Sequence, residues 1–146
     1  YSRIDRVGRY GRHGTSSLSG IDSAFIGDGG GPWAQAMRKG EAYFRAEDIE
    51  LAERIYDFGL AIGNTDMHFS NISFYVEHDL PFALAPIYGY AAYVLSDGTL
   101  RNEPLQSIPP TKESREMAKN FWKSIAANAN VSASFRRIAK QNNMLY

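Results

Sequence analysis

Cysteine is absent from this 146-residue chain. Its absence removes disulfides and thiolate metal sites, and it fits a protein of the reducing cytoplasm. Net charge is absent too, since 16 Lys and Arg balance 16 Asp and Glu around a pI near 7.0. A chain so balanced carries no overall field to draw it to nucleic acid or to an anionic membrane. No apolar run approaches the length of a membrane span and no secretory leader is legible, so no membrane partner is expected. Gly29-Gly30-Gly31 lacks the Gly-Lys-Ser/Thr ending of a P-loop, and no G-x-G-x-x-G occurs. The three histidines, His13, His68 and His78, match no zinc-ligand spacing. Internal repeats are missing as well.

What is present is an ordinary globular composition, 44% hydrophobic and 22% charged. Residues 1–146 are therefore read as one domain with a substantial core. The chain opens on Tyr1 in what reads as mid-strand, and a piece of a longer protein is expected. Residues 1–14 concentrate Arg3, Arg6, Arg9, Arg12 and His13 beside Asp5. They read either as a phosphate-contacting edge or as a solvated loop, and charge runs are more often the latter. Residues 15–31, rich in Ser and Gly, read as a flexible loop in which Asp22 or Asp28 pins a turn.

Trp33 to Lys39 has the marks of a short helix, with Pro32 before it and Gly40 after it. Residues 46–62 give the clearest helical pattern: Ile49, Ala52, Ile55 or Tyr56, Gly59 and Ile62 share a face. Glu47 and Asp48 sit near its positive end, and Gly63 stops it. Two apolar runs, Ile72–Val76 and Phe82–Ile87, predict an antiparallel hairpin. Residues 97–110 are turn-rich. Thr111 then caps a helix to about Asn128 that buries Met117, Phe121, Trp122 and Ile125. Ser132 starts a last helix, and the polar tail is expected to fray. The fold class is mainly α with a small antiparallel β-hairpin.

Between the long helix and the hairpin lies Asn64-Thr65-Asp66-Met67-His68-Phe69-Ser70-Asn71. Rigid elements on both sides of a polar loop are the usual way a scaffold displays chemistry. Asp66 and Asn71 are five residues apart, the interval between the base Asp and the metal-binding Asn of a protein-kinase catalytic loop. Asp66 is thus a candidate base and Asn71 a candidate Mg²⁺ ligand, the alternative for each being a turn residue. His68 either touches phosphate or bonds the loop backbone. Tyr56, Phe58, Phe74, Tyr75, Phe121 and Trp122 read as core.

The run from Asn64 to Phe74 resembles the N-x-D-x-H-x-x-N-x-S-F signature of HipA-like serine/threonine kinases, toxins of bacterial toxin–antitoxin pairs. Ile4-Asp5-Arg6 resembles that family's E-R-F-D-R hinge, and Leu84-Ala85-Pro86-Ile87-Tyr88 its L-x-P-x-Y-D. The resemblance covers nearly the whole chain and is closest to the HipH-like branch. It implies a kinase-like C-terminal lobe without its small N-lobe. It also implies ATP and Mg²⁺ as cofactors in the full-length protein, with Arg3, Asp5 and Arg6 near the nucleotide. The implied partners are a protein substrate of the aminoacyl-tRNA synthetase class and an antitoxin, with DNA bound only through a region outside this chain.

Two positions depart from the family. Ser2 stands where the hinge has Glu, and Gly89 stands where it has a second metal-binding Asp. The HipH-like branch usually reads D-M-L-P there. Its codons GAT-ATG-CTG-CC preceded by one extra G would read Gly-Tyr-Ala-Ala, matching Gly89-Tyr90-Ala91-Ala92; a pair of compensating frameshifts would explain the gap. The expected function is a HipA-like protein kinase lobe, inactive as this stretch alone. The alternative is a degenerate kinase-like module for dimerisation or regulation in a DNA-binding transcriptional regulator.

Overall fold

The computed structural model describes residues 3–76, 79–92 and 109–144. Ser2, His78 and most of the turn-rich stretch 97–110 lie outside them. The described chain is mainly helical with two small antiparallel sheets, as the residue patterns predict. It divides into two compact units, one of residues 1–56 and 66–90, the other of residues 57–65 and 91–146.

The first unit opens on a two-stranded ribbon, β1 (Arg6–Val7) and β2 (Gly11–Arg12), with every residue of both strands exposed. Strand β3 (Thr15–Ser17) then pairs with β4 (Ser73–Tyr75), which pairs in turn with β5 (Ala83–Leu84). The predicted hairpin is therefore β4–β5, and β3 is an addition to it. Helix α1 (Leu18–Ile21) and a π-helical turn (Asp22–Ile26) follow β3. Here composition misled, because residues 15–26 are ordered rather than a loop. Ser17 caps α1 by accepting from the Gly20 amide at 3.2 Å, Leu18 and Ile21 are buried, and the Leu18 amide donates to the Ile72 carbonyl at 2.9 Å.

Only the stretch after Ile26 is loop, with Gly27, Gly29, Gly30 and Gly31 all at positive φ. Of the two aspartates proposed to pin a turn, Asp22 does so. Its buried carboxylate accepts from the amides of Asp28 and Gly29 at 2.8 and 2.9 Å. Helix α2 (Trp33–Lys39) occupies its expected span, followed by a 3-10 turn at Glu41–Tyr43. Trp33, Met37, Leu18, Ile72 and Phe74 are almost completely buried and form the core of this unit, with Phe44 ringed against Phe74 at 4.8 Å.

Helix α3 spans Ala46–Ile62, as its periodicity predicts. Between the two candidates for its inner face, Tyr56 is buried and Ile55 only half-buried. Near its start, Asp48 accepts from the Leu84 amide at 2.9 Å, tying the helix to the edge strand β5.

The second unit holds the end of α3, α4 (Lys112–Ala127) and α5 (Ala133–Asn143). Thr111 caps α4 through the Ser114 amide, and Ser132 caps α5 through the Phe135 amide. The face α4 buries is Ser114, Ala118 and Trp122, while Met117 is exposed. Helix α4 packs against α5. Nor does the tail fray at Gln141: α5 continues to Asn143, and buried Asn142 donates to the Ile138 carbonyl at 3.0 Å.

Candidate functional site

The polar loop is set at its start by the way α3 ends. Gly63 takes φ 74°, a left-handed conformation that costs glycine little. The Gly63 amide donates to the Leu60 carbonyl and the Asn64 amide to the Gly59 carbonyl, so the last turn is satisfied. Asn64 is buried, in keeping with a loop-shaping role.

From Asp66 burial alternates along the chain. Met67 and Phe69 are buried, whereas Asp66, His68 and Ser70 face outward to different degrees. The side chain of Asp66 is 43% exposed and that of His68 73%, with His68 Nε2 3.4 Å from Asp66 Oδ1. The chain then tightens into a 3-10 turn, Phe69–Asn71, closed by the Asn71 amide on the His68 carbonyl at 3.0 Å.

Two side chains hold this shape. Asn71 Nδ2 donates back to the Asp66 carbonyl at 2.5 Å. Only the amide nitrogen can face a carbonyl oxygen, so Oδ1 of Asn71 is turned away from that backbone and remains an acceptor. Trp33, buried in α2, donates its Nε1–H to the carbonyls of both Met67 and His68, at 3.1 and 3.2 Å. In the sequence Trp33 is marked only as the first residue of a helix. A tryptophan at a helix start, 34 residues ahead of a polar loop, carries no local signal of that bond.

Tyr88 is a second residue the motif did not single out for the loop. Its hydroxyl lies 3.0 Å from Ser73 Oγ and 3.4 Å from the Ser70 carbonyl, beside the 3-10 turn. Tyr90 donates its hydroxyl to the Ile55 carbonyl on α3. Gly89 is thus flanked by two anchored tyrosines. It is exposed, takes φ 62°, and a Cβ built on it would meet open space.

Arg3 and Asp5 are engaged with each other, through Nε–Oδ1 at 2.8 Å and Nη2–Oδ2 at 2.6 Å. The hydrogen bond from Arg3 is the main cause that holds the Asp5 carboxyl below its ordinary range, and the same bond raises the Arg3 guanidinium. Tyr75 donates its hydroxyl to the Ile4 carbonyl at 3.2 Å, fixing this segment beside β4. Arg6 is exposed on β1. The structure therefore brings Asp66, His68 and Asn71 together, pairs Arg3 with Asp5, and leaves Arg6 on the ribbon.

Chemically, the loop presents one carboxylate and one amide oxygen five residues apart, oxygen donors that suit a hard divalent cation. Among the described residues no group of three or more His, Asp or Glu is arranged to hold a metal unaided. Asp66 and Asn71 by themselves would leave such an ion short of a full oxygen shell.

Along 137 residues the chain is 33% identical to a curated protein of Escherichia coli (strain K12) named Toxin YjjJ. It is a relative of a bacterial toxin. The match takes in 86% of this chain but only 30% of the length of that toxin. No family model matches the chain, and no solved structure matches it.

Proposed function

We propose that the chain is the C-terminal lobe of a HipA-like serine/threonine protein kinase with a toxin role. The observation that carries this reading is the bond from Asn71 Nδ2 to the Asp66 carbonyl. It ties Asn71 back to the backbone of Asp66 five residues earlier, which supports reading the pair as a kinase loop. Asp66 orients the acceptor hydroxyl and takes its proton, while Asn71 Oδ1 would hold Mg²⁺ brought with the nucleotide. When bound, that Mg²⁺ neutralises charge on the transferring phosphoryl group. His68, beside Asp66, reaches the phosphate or steadies the base. Arg3, Asp5 and Arg6 form the nucleotide side. Because Arg3 and Asp5 hold each other, Arg6 is the cation among them open to phosphate or ribose.

The kinship with a protein named a toxin supports the toxin half of the reading. An aminoacyl-tRNA synthetase as substrate and an antitoxin as partner belong to the same proposal. So does DNA binding through a region outside these residues. The phosphate-anchoring lysine of such kinases would likewise come from chain beyond them.

Gly89 favours a second reading, a kinase-like module that has lost transfer and serves dimerisation or regulation. A glycine offers no oxygen to a metal from its side chain. Thermal-shift titration of the whole protein with ATP separates the two, since binding stabilises by RT ln(1 + [L]/Kd). The kinase reading expects a Mg²⁺-dependent shift that Gly89→Asp enlarges, and phosphoryl transfer that Asp66→Asn abolishes. Wild-type transfer by the Asp66→Asn protein would remove Asp66 as base. A shift that is absent with and without Mg²⁺, for the parent and Gly89→Asp alike, favours the module.

A further inference from the structure

Of the ribbon β1–β2 the kinase reading uses only Arg6, and the construction of the ribbon is unusual. Arg6 and Arg12 are register partners, directly across the ladder from each other. Side chains so placed lie on one face about 5 Å apart, and like charges there repel. The ribbon is nonetheless built firmly. Gly8 takes φ 57°, and a Cβ on Gly11 would lie 2.5 Å from the Val7 carbonyl oxygen, so the turn depends on both glycines. At its root the His13 amide donates to the Asp5 carbonyl at 3.0 Å, and the His13 ring sits 5.0 Å from that of Tyr75 on β4.

The turn carries Arg9 with its guanidinium 5.3 Å above the Tyr10 ring, and Tyr10 is 81% exposed. Every cation from residue 3 to residue 12 is arginine and none is lysine. Asp5 is taken up by Arg3, which leaves Arg6, Arg9 and Arg12 as a local surplus that the even overall charge conceals.

We propose that this ribbon binds single-stranded nucleic acid. Arg6 and Arg12 would clamp successive phosphates, and a base would stack at Tyr10 beside the Arg9 guanidinium. A phosphate between Arg6 and Arg12 relieves the cross-strand repulsion between them. The exposed ring favours a strand with free bases over an acidic peptide, and two exposed apolar side chains, Val7 and Tyr10, are too little to enter a membrane. The inference shares Arg6 with the kinase reading but does not rest on it, since that reading uses none of Arg9, Tyr10 and Arg12.

The test is fluorescence anisotropy of labelled oligo(U) and oligo(dT) with the 146-residue chain, between about 50 and 200 mM salt. Two phosphate-contacting arginines, Arg6 and Arg12, predict a log–log salt slope near about −1.4, and Arg12→Ala should flatten it by about 0.7. Arg9→Lys, which preserves charge, should leave the slope unchanged. Tyr10→Ala should weaken binding roughly five-fold or more at fixed salt with no change of slope. Tighter binding of oligo(U) assigns the source as RNA through its 2′-hydroxyls, and equal or tighter oligo(dT) binding assigns any single strand. The proposal is overturned if neither oligonucleotide binds. It is equally overturned if Tyr10→Ala binds like the parent while heparin or phosphatidylserine vesicles compete fully, for that would be a generic polyanion surface.

Discussion

Replacing Asn71 by aspartate sets two effects against each other. A carboxylate is the stronger ligand for Mg²⁺, so motif reasoning alone expects Asn71→Asp to help the site. The structure predicts the opposite for the loop, because Nδ2 is the atom that donates to the Asp66 carbonyl. Asn71→Asp deletes that donor and sets a negatively charged oxygen against the carbonyl. The lost bond is part-buried; its removal together with the unpaired acceptor amounts to about 2 kcal/mol. With a urea slope of about 2 kcal/mol per molar, the midpoint should fall by about 1 M. The new carboxyl is favoured in its neutral form, which can donate to the carbonyl, so its pKa in the folded state is raised. The deficit is then full above that pKa and shrinks as pH falls through it. Urea denaturation followed by circular dichroism reads the midpoint, and amide exchange across residues 66–71 reads the loop. Asn71→Asp with parental stability at neutral pH would refute the assigned bond, as would a deficit that grows in acid.

Trp33→Phe keeps most of the buried ring but deletes the donor to the Met67 and His68 carbonyls. It should cost about 1–3 kcal/mol and speed amide exchange over residues 66–71, whereas exchange in α5 should stay unchanged. Thr111→Ala removes the cap on the Ser114 amide and the hydroxyl bond to Asp57, and should lower stability by about 1–2 kcal/mol in thermal unfolding, with Thr111→Ser largely restoring it. In an NMR titration the Asp5 carboxyl should ionise below its ordinary range, and Arg3→Ala should return it upward. Because its folded pKa is lowered, whatever stability this pair contributes is present above the unfolded value and is lost as pH falls through the folded one.

Some of this molecule is written locally. Helix α3 could be read residue by residue because its apolar face repeats at helical spacing and its ends carry local signals, acids at the start and a left-handed glycine at the stop. The caps Thr111 and Ser132 were legible for the same reason, since a cap bonds an amide three residues on. The order of Asp66, His68 and Asn71 along the chain was equally plain. Where local signals were weak the reading failed. Ser- and Gly-rich residues 15–26 read as loop because composition cannot register that the Leu18 amide has a partner at Ile72. Met117 read as core because a large apolar side chain outweighs Ser114 in any hydropathy pattern, although the fold buries Ser114 and Ala118 and leaves Met117 exposed.

By itself, then, the sequence determined the main helices, the pairing of β4 with β5 and the candidate chemistry of the loop, all encoded within a few residues of one another. Tertiary structure alone decided that β3 completes the sheet, that Asp48 rather than solvent satisfies the Leu84 amide, and that Trp33 braces the backbone of the loop. Those bonds join residues 34 or more apart. Each exists because a buried donor or acceptor must find a partner wherever folding leaves one within reach, and nothing in its own neighbourhood of the chain announces which that will be.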